Sequence, residues 1–180
     1  MSVKVNEANV RELIMYRAMP FMGLIMQQVD SLSLMKVHEA TDLSQARSAI
    51  ILNGNITGVI VTGEILEASV QINEQRYVLF LADDVIFEES LTIALIDLRE
   101  GIKEIVSVGN EYSTGDFEAL SITADRITFR FMGDYLWTVT VSDTPRLRLP
   151  FLSDPKGVKR DAAFKKYMDI SATAVSENAR

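Results

Sequence analysis

Apolar residues recur every three or four positions near the start of the chain and every second position further on, and that change of period divides it. Within 13–35, Met15, Met19, Met22, Met26 and Val29 stand four, three, four and three residues apart. That is the seam of a helix whose apolar side chains share one face. Asn6 is a suitable N-cap with Glu7 in the first turn. Pro20 lacks an amide hydrogen and disfavours helical geometry at Met19, so the pattern predicts a kinked or broken helix pair. Asp30, Ser31 and Ser33 end it. A short strand over 34–39 and a small helix over 42–48 follow.

From Ala49 the texture becomes short apolar runs separated by turn residues, which is how successive antiparallel strands read. Runs 49–52 and 59–62 flank Asn53-Gly54-Asn55, whose residues tolerate positive φ. Runs 67–72 and 75–82 flank Asn73-Glu74, and 91–98 and 104–108 flank a turn with Gly101. Ile127, Phe129 and Phe131 alternate with Thr128 and Arg130. Gly133-Asp134 then turns the chain into Tyr135, Trp137, Val139 and Val141. Pro145 and Pro150 bracket Arg146-Leu147-Arg148-Leu149, a piece suited to a sheet edge. Phe164, Tyr167, Met168 and Ile170 have helical spacing, predicting a C-terminal helix over 157–170 and a frayed tail over 171–180.

The predicted class is therefore α+β: helices over 1–48, an antiparallel meander of about seven or more strands over 49–152, and one C-terminal helix, in a single domain 1–180. The sheet needs cover for one face, and the methionine-seamed helices are the expected cover, with their methionines buried.

Composition narrows the chemistry. A hydrophobic fraction of 48% with 24% charged residues is that of a folded globular chain. The longest apolar run, Leu13–Met26, spans 14 residues and contains Arg17 and Pro20, whereas a membrane-crossing helix needs about 20. No membrane contact and no export signal are read, and a cytoplasmic setting suits a chain with no cysteine. The same lack excludes disulfides, thiolate metal sites and cysteine nucleophiles. The net charge of −7 is uneven: residues 64–125 carry 14 acidic groups against three basic ones, while 126–180 carry ten basic against six acidic. Such asymmetry speaks to partners rather than to fold.

Candidate chemistry is sparse. His38 is the sole histidine, which removes multi-histidine metal centres and leaves a catalytic triad only one possible base, in no motif. Asp83, Asp84, Glu88 and Glu89 crowd four carboxylates into one loop, but without the alternation and central glycine of a calcium loop. Gly54, Gly58 and Gly63 lack phosphate-loop spacing, and Tyr112-Ser113-Thr114-Gly115 is no nucleophile elbow. Lys156, Lys159, Arg160, Lys165 and Lys166 form a basic patch, yet the acidic chain as a whole argues against nucleic acid. No catalytic residue, metal or cofactor is assigned.

These readings point to a non-enzymatic binding protein of the immunity or antitoxin kind. Its acidic surface, with Asp83, Asp84, Glu88, Glu89, Glu100 and Glu104, would occupy a basic protein partner such as a toxin or nuclease. One alternative is an assembly subunit that forms a homodimer through a sheet edge or an exposed methionine seam. Another is a small-molecule barrel or cup lined by Phe129, Phe131, Tyr135 and Trp137.

Overall fold

The computed structural model describes residues 25–41, 44–83, 90–109, 115–149, 154–161 and 163–175. Within them the chain forms strands only: β1 (Gln27–Gln28), β2 (Leu32–His38), β3 (Arg47–Leu52), β4 (Asn55–Thr62), β5 (Ile65–Gln71), β6 (Arg76–Ala82) and β7 (Leu91–Asp97). The remainder are β8 (Gly101–Val108), β9 (Glu118–Ile122), β10 (Ile127–Arg130), β11 (Tyr135–Leu147), β12 (Val158–Arg160) and β13 (Lys165–Ala174). They make three antiparallel sheets: six strands in the order β1-β5-β6-β7-β8-β12, four in the order β13-β11-β10-β9, and three in the order β2-β3-β4.

The six-stranded sheet is the middle layer. Val78 and Phe80 of β6 and Leu91, Ile93 and Leu95 of β7 pack with Ile127, Phe129, Trp137, Val139, Met168 and Ile170 of the four-stranded sheet. The alternate residues, Tyr77, Leu79 and Leu81 of β6 and Ala94 and Ile96 of β7, pack with Leu32, Ile50, Val59 and Val61 of the three-stranded sheet. Both faces of β6 and β7 are thus dry, which explains why Tyr77–Leu81 and Ile93–Ile96 read as unbroken apolar runs. At the edges of this sheet stand its shortest strands, β1 with two residues and β12 with three. Brief edges give another chain little to pair with.

This architecture corrects the α+β expectation: within the described residues the fold is all-β. The helix pair over the first residues, with Met15, Met19 and Met22, lies outside the described residues. Met26, from the same seam, is buried in the larger core just before β1, whereas Met35 sits on β2 and is 44% exposed. The small helix over 42–48 is replaced from Arg47 onward by β3. The C-terminal helix is replaced by β12 and β13, and the strand runs to Ala174, into the expected tail. Met168 and Ile170 satisfy both periods, and pairing with Val141 and Val139 on β11 decides for the strand.

The hairpins follow the turn chemistry. Asn53 and Gly54 adopt φ of 50° and 78° between β3 and β4, with Leu52 opposite Asn55, a two-residue turn of the kind that matches strand twist. The β5–β6, β7–β8 and β10–β11 hairpins form with the expected turns. Along β11, Ser142–Pro145 stand opposite Tyr167 alone where the register with β13 shifts. Ser142 Oγ donates to the Tyr167 carbonyl at 2.9 Å and steadies that bulge.

Candidate functional site

The six acidic residues singled out from sequence do not form one surface. Asp84, Glu88 and Glu89 lie outside the described residues. Asp83 follows β6 at the Leu91 end of β7, while Glu100 lies in the turn at the Asp97 end, a strand length or about 20 Å away. Asp83 Oδ2 accepts from Gln45 Nε2 at 2.8 Å, its buried Oδ1 has no partner among the described residues, and burial pushes this carboxyl above its ordinary range. Glu100 is exposed and pairs with Lys103.

Glu104 works inward. One oxygen accepts from Arg160 Nη1, and the other accepts the backbone N–H groups of Tyr167 and Met168 at 2.7 Å each. A carboxylate on the central sheet therefore holds β13 where its register with β11 shifts. Other members of the acidic run are also neutralised within the fold: Glu64 by Lys36 at 2.9 Å, Asp97 by Arg76 at 3.6 Å and Asp125 by Arg126 at 2.9 Å. At Asp97 burial pushes the carboxyl up, but the Arg99 and Glu100 amides and the Arg76 charge outweigh it and leave it below its usual value. Cations from outside residues 64–125, namely Lys36, Arg126 and Arg160, thus offset three of its negative charges.

Three carboxylates without an ion pair among the described residues gather elsewhere. Asp116, Glu118 and Asp134 line an open depression of about 250 Å³ together with Gly115, Arg130, Phe131, Met132 and Gly133. All three are exposed, and none forms an ion pair with a described residue. The walls are fixed by specific bonds. Trp137 Nε1–H donates to the Phe131 carbonyl at 2.7 Å, and the Val175 amide donates to the Asp134 carbonyl at 2.7 Å. Met132 and Ala119 hold left-handed φ of 59° and 52°, positions that cost an ordinary residue about 1–3 kcal/mol and persist only when the surroundings impose them. Gly115 presses on Met132 so closely that a Cβ would stand 2.6 Å from its backbone nitrogen.

A second concavity, about 230 Å³, has the opposite character: Lys103, Arg148, Arg160 and Lys165 line it with Ile102, Glu104, Ile105, Asp161 and Ala163. Of the expected basic patch, Arg160 and Lys165 reach this cleft; Lys156 is exposed in the turn before β12. The aromatics proposed as a cup lining are instead core: Phe129, Phe131 and Trp137 are buried, with Phe129 5.1 Å from Phe80 and 5.3 Å from Phe117 between ring centres. Tyr135 alone is exposed. His38 is exposed at the end of β2.

Sequence reasoning missed Asp134, Asp116 and Glu118 as a group. Asp134 was visible as a turn residue, and the other two lay in the acidic run, but only the β9–β10 register, with Glu118 opposite Arg130, brings them to one place. Among the described residues no three side chains of His, Asp or Glu converge as metal ligands, and no helix is long and apolar enough to cross a membrane. Comparison with protein-family models, curated proteins and solved structures finds no match for this chain.

Proposed function

We propose that this chain is a non-enzymatic, cytoplasmic binding protein that engages a basic protein partner of the toxin or nuclease kind through carboxylates. The observation that carries the reading is the depression of Asp116, Glu118 and Asp134: three exposed carboxylates with no ion pair among the described residues, against one arginine. Such an arrangement receives a lysine or arginine side chain without first breaking internal bonds, and preorganisation lowers the ordering cost of association. Outward negative charge also steers a basic partner and speeds encounter at low salt.

The test is capture of partners from the native cell at low and at high salt, repeated with Asp116→Lys, Glu118→Lys and Asp134→Lys combined. A basic protein held at low salt, released at high salt and lost with the triple reversal supports the proposal. Capture unaffected by the reversal, or no basic protein at low salt, ends it. Reversal of Asp84, Glu88 and Glu89 in parallel tells which carboxylates matter.

A second reading, assembly with a second copy, rests on the outward face of the three-stranded sheet. Met35, Ala49 and Ile60 stand opposite one another across its strands, as do Ile51 and Ile56, and Met35, Val37, Ile56 and Ile60 are between 44% and 64% exposed. Grouped apolar side chains on a sheet face mark contact surfaces. Mass measured in solution over a wide concentration range decides: a monomer throughout rejects self-assembly.

A further inference from the structure

The basic cleft holds more donors than acceptors. Arg160, with its side chain 2% exposed, donates from Nε to Asp154 Oδ2 at 3.0 Å and from Nη1 to Glu104, while its buried Nη2 has no acceptor among the described residues. Arg148, 14% exposed, donates from Nη1 to the Asp161 carbonyl at 3.1 Å. Its Nη2 stands 3.4 Å from Asp154 Oδ2, longer than a charge-assisted hydrogen bond of about 2.7–2.9 Å, and its buried Nε has no acceptor among the described residues. Each guanidinium carries five N–H donors that lose water on burial, and buried donors left without a partner are rare in folded proteins. Among the described residues Glu104 engages both oxygens and one oxygen of Asp154 faces both arginines, while the exposed Asp161 accepts from Arg148 through its backbone carbonyl. Lys165, exposed at the start of β13, adds a further cation to the lining.

Four cations against the carboxylates of Glu104 and Asp161 leave the lining net positive, with buried donors that no described residue meets. We propose that it binds a small oxyanion, a carboxylate or phosphate group, seated between Arg148 and Lys165. Arg148 is the side chain that moves, because its contact with Asp154 is the loosest in the network; turning toward the ligand gives its idle nitrogen an acceptor. Arg160, anchored on two carboxylates, stays as the fixed positive floor. A volume of about 230 Å³ lies below the roughly 300–1,000 Å³ of sites for whole drug-sized ligands, which suits one anionic group rather than a large molecule. A cation or an apolar molecule would leave the same donors unpaired.

The experiment titrates the full chain with inorganic phosphate and, separately, with acetate, each against chloride at matched ionic strength, reading the melting temperature and the heat of binding. A saturable rise in melting temperature above the chloride control is expected with at least one of them. Arg148→Gln should weaken that affinity about tenfold or more, and Lys165→Gln about threefold, since a charge-assisted contact is lost in each. Preference for phosphate indicates a phosphate-bearing ligand and preference for acetate a carboxylate; both uphold the oxyanion site. Responses to phosphate and acetate equal to that of chloride overturn it. Unchanged affinity in the variants does so as well, and Lys165→Gln, at an exposed position, supplies that answer even if Arg148→Gln does not fold.

Discussion

The two sheets that cover the central layer differ on the side turned away from it. The four-stranded cover presents Thr128, Thr138, Thr140, Asp169, Ser171 and Thr173 between its buried Phe129, Val139, Met168 and Ile170, the apolar-in, polar-out alternation of a sheet with one wet face. The three-stranded cover has apolar residues on both sides: Leu32, Ile50, Val59 and Val61 inward and Met35, Val37, Ile56 and Ile60 outward. The inner interfaces differ too. On the first side Phe80, Phe117 and Phe129 interlock with centroids 5.1–5.3 Å apart, while the second is largely aliphatic around Tyr77. One cover is finished as a protein exterior, and the other carries an apolar outward face that remains exposed among the described residues.

The sharpest way to break this comparison is to open each interface. Phe80→Ala should cost about 3–5 kcal/mol because the ring touches two others in a fully buried site. Ile50→Ala, its aliphatic counterpart, should cost about 2–3 kcal/mol, the lower part of the range for such deletions, because a small cover can settle into the gap. Urea unfolding of the two variants measures both, and equal losses would erase the distinction. Next in size is the bond between layers on the first side. Glu104→Gln strips the carboxylate from a side chain that is 10% exposed and leaves Arg160 short of one counter-ion, for a loss of about 3 kcal/mol or less, since Asp154 still neutralises it.

Smaller effects follow. Asp83→Asn should raise stability at neutral pH by about 1 kcal/mol, because a half-buried carboxylate with one unpartnered oxygen is disfavoured when charged. The sign follows from linkage: a carboxyl raised in the folded state favours folding below the unfolded value of 3.8, and that contribution is lost as pH rises through the folded value. The wild type should therefore lose stability relative to the variant over that interval, and melts at a series of pH values check it. Smallest is Ile60→Thr, which gives the apolar outward face the chemistry of the other cover. Stability should change by no more than about 0.5 kcal/mol, and any self-association in solution should weaken. A dimer that survives Ile60→Thr with undiminished affinity uses another surface.

How much of this was legible in the sequence depends on the range of the deciding contact. Asn53-Gly54, Gly101 and Gly133-Asp134 announce their hairpins because turn geometry is local. The alternation of Ile127, Phe129 and Val139 was readable for the same reason. The unbroken runs of β6 and β7 carried the sign of a sheet covered on both faces, but a cover made of strands distant in sequence is not visible in a run itself. Phe164, Tyr167 and Met168 imitate a helix. The competing alternation of Met168, Ile170 and Ala172 prevails because β11 supplies partners for it. The acidic run misled by count: Glu104, Asp97 and Glu64 are claimed by Arg160, Arg76 and Lys36, contacts that span up to 56 residues. Arg148 and Arg160 line one cleft and both face Asp154, a meeting that no local pattern announces.

Glu104 has one more consequence. Its Oε2 takes the amides of two neighbouring residues, Tyr167 and Met168, so it fits only one alignment of β13. A slip of one residue would turn Met168 and Ile170 out to water and strip the carboxylate of a partner at the same time. The side chain acts as a key cut for a single notch: of the many offsets at which two long antiparallel strands could zip together, it makes one self-consistent and penalises its neighbours.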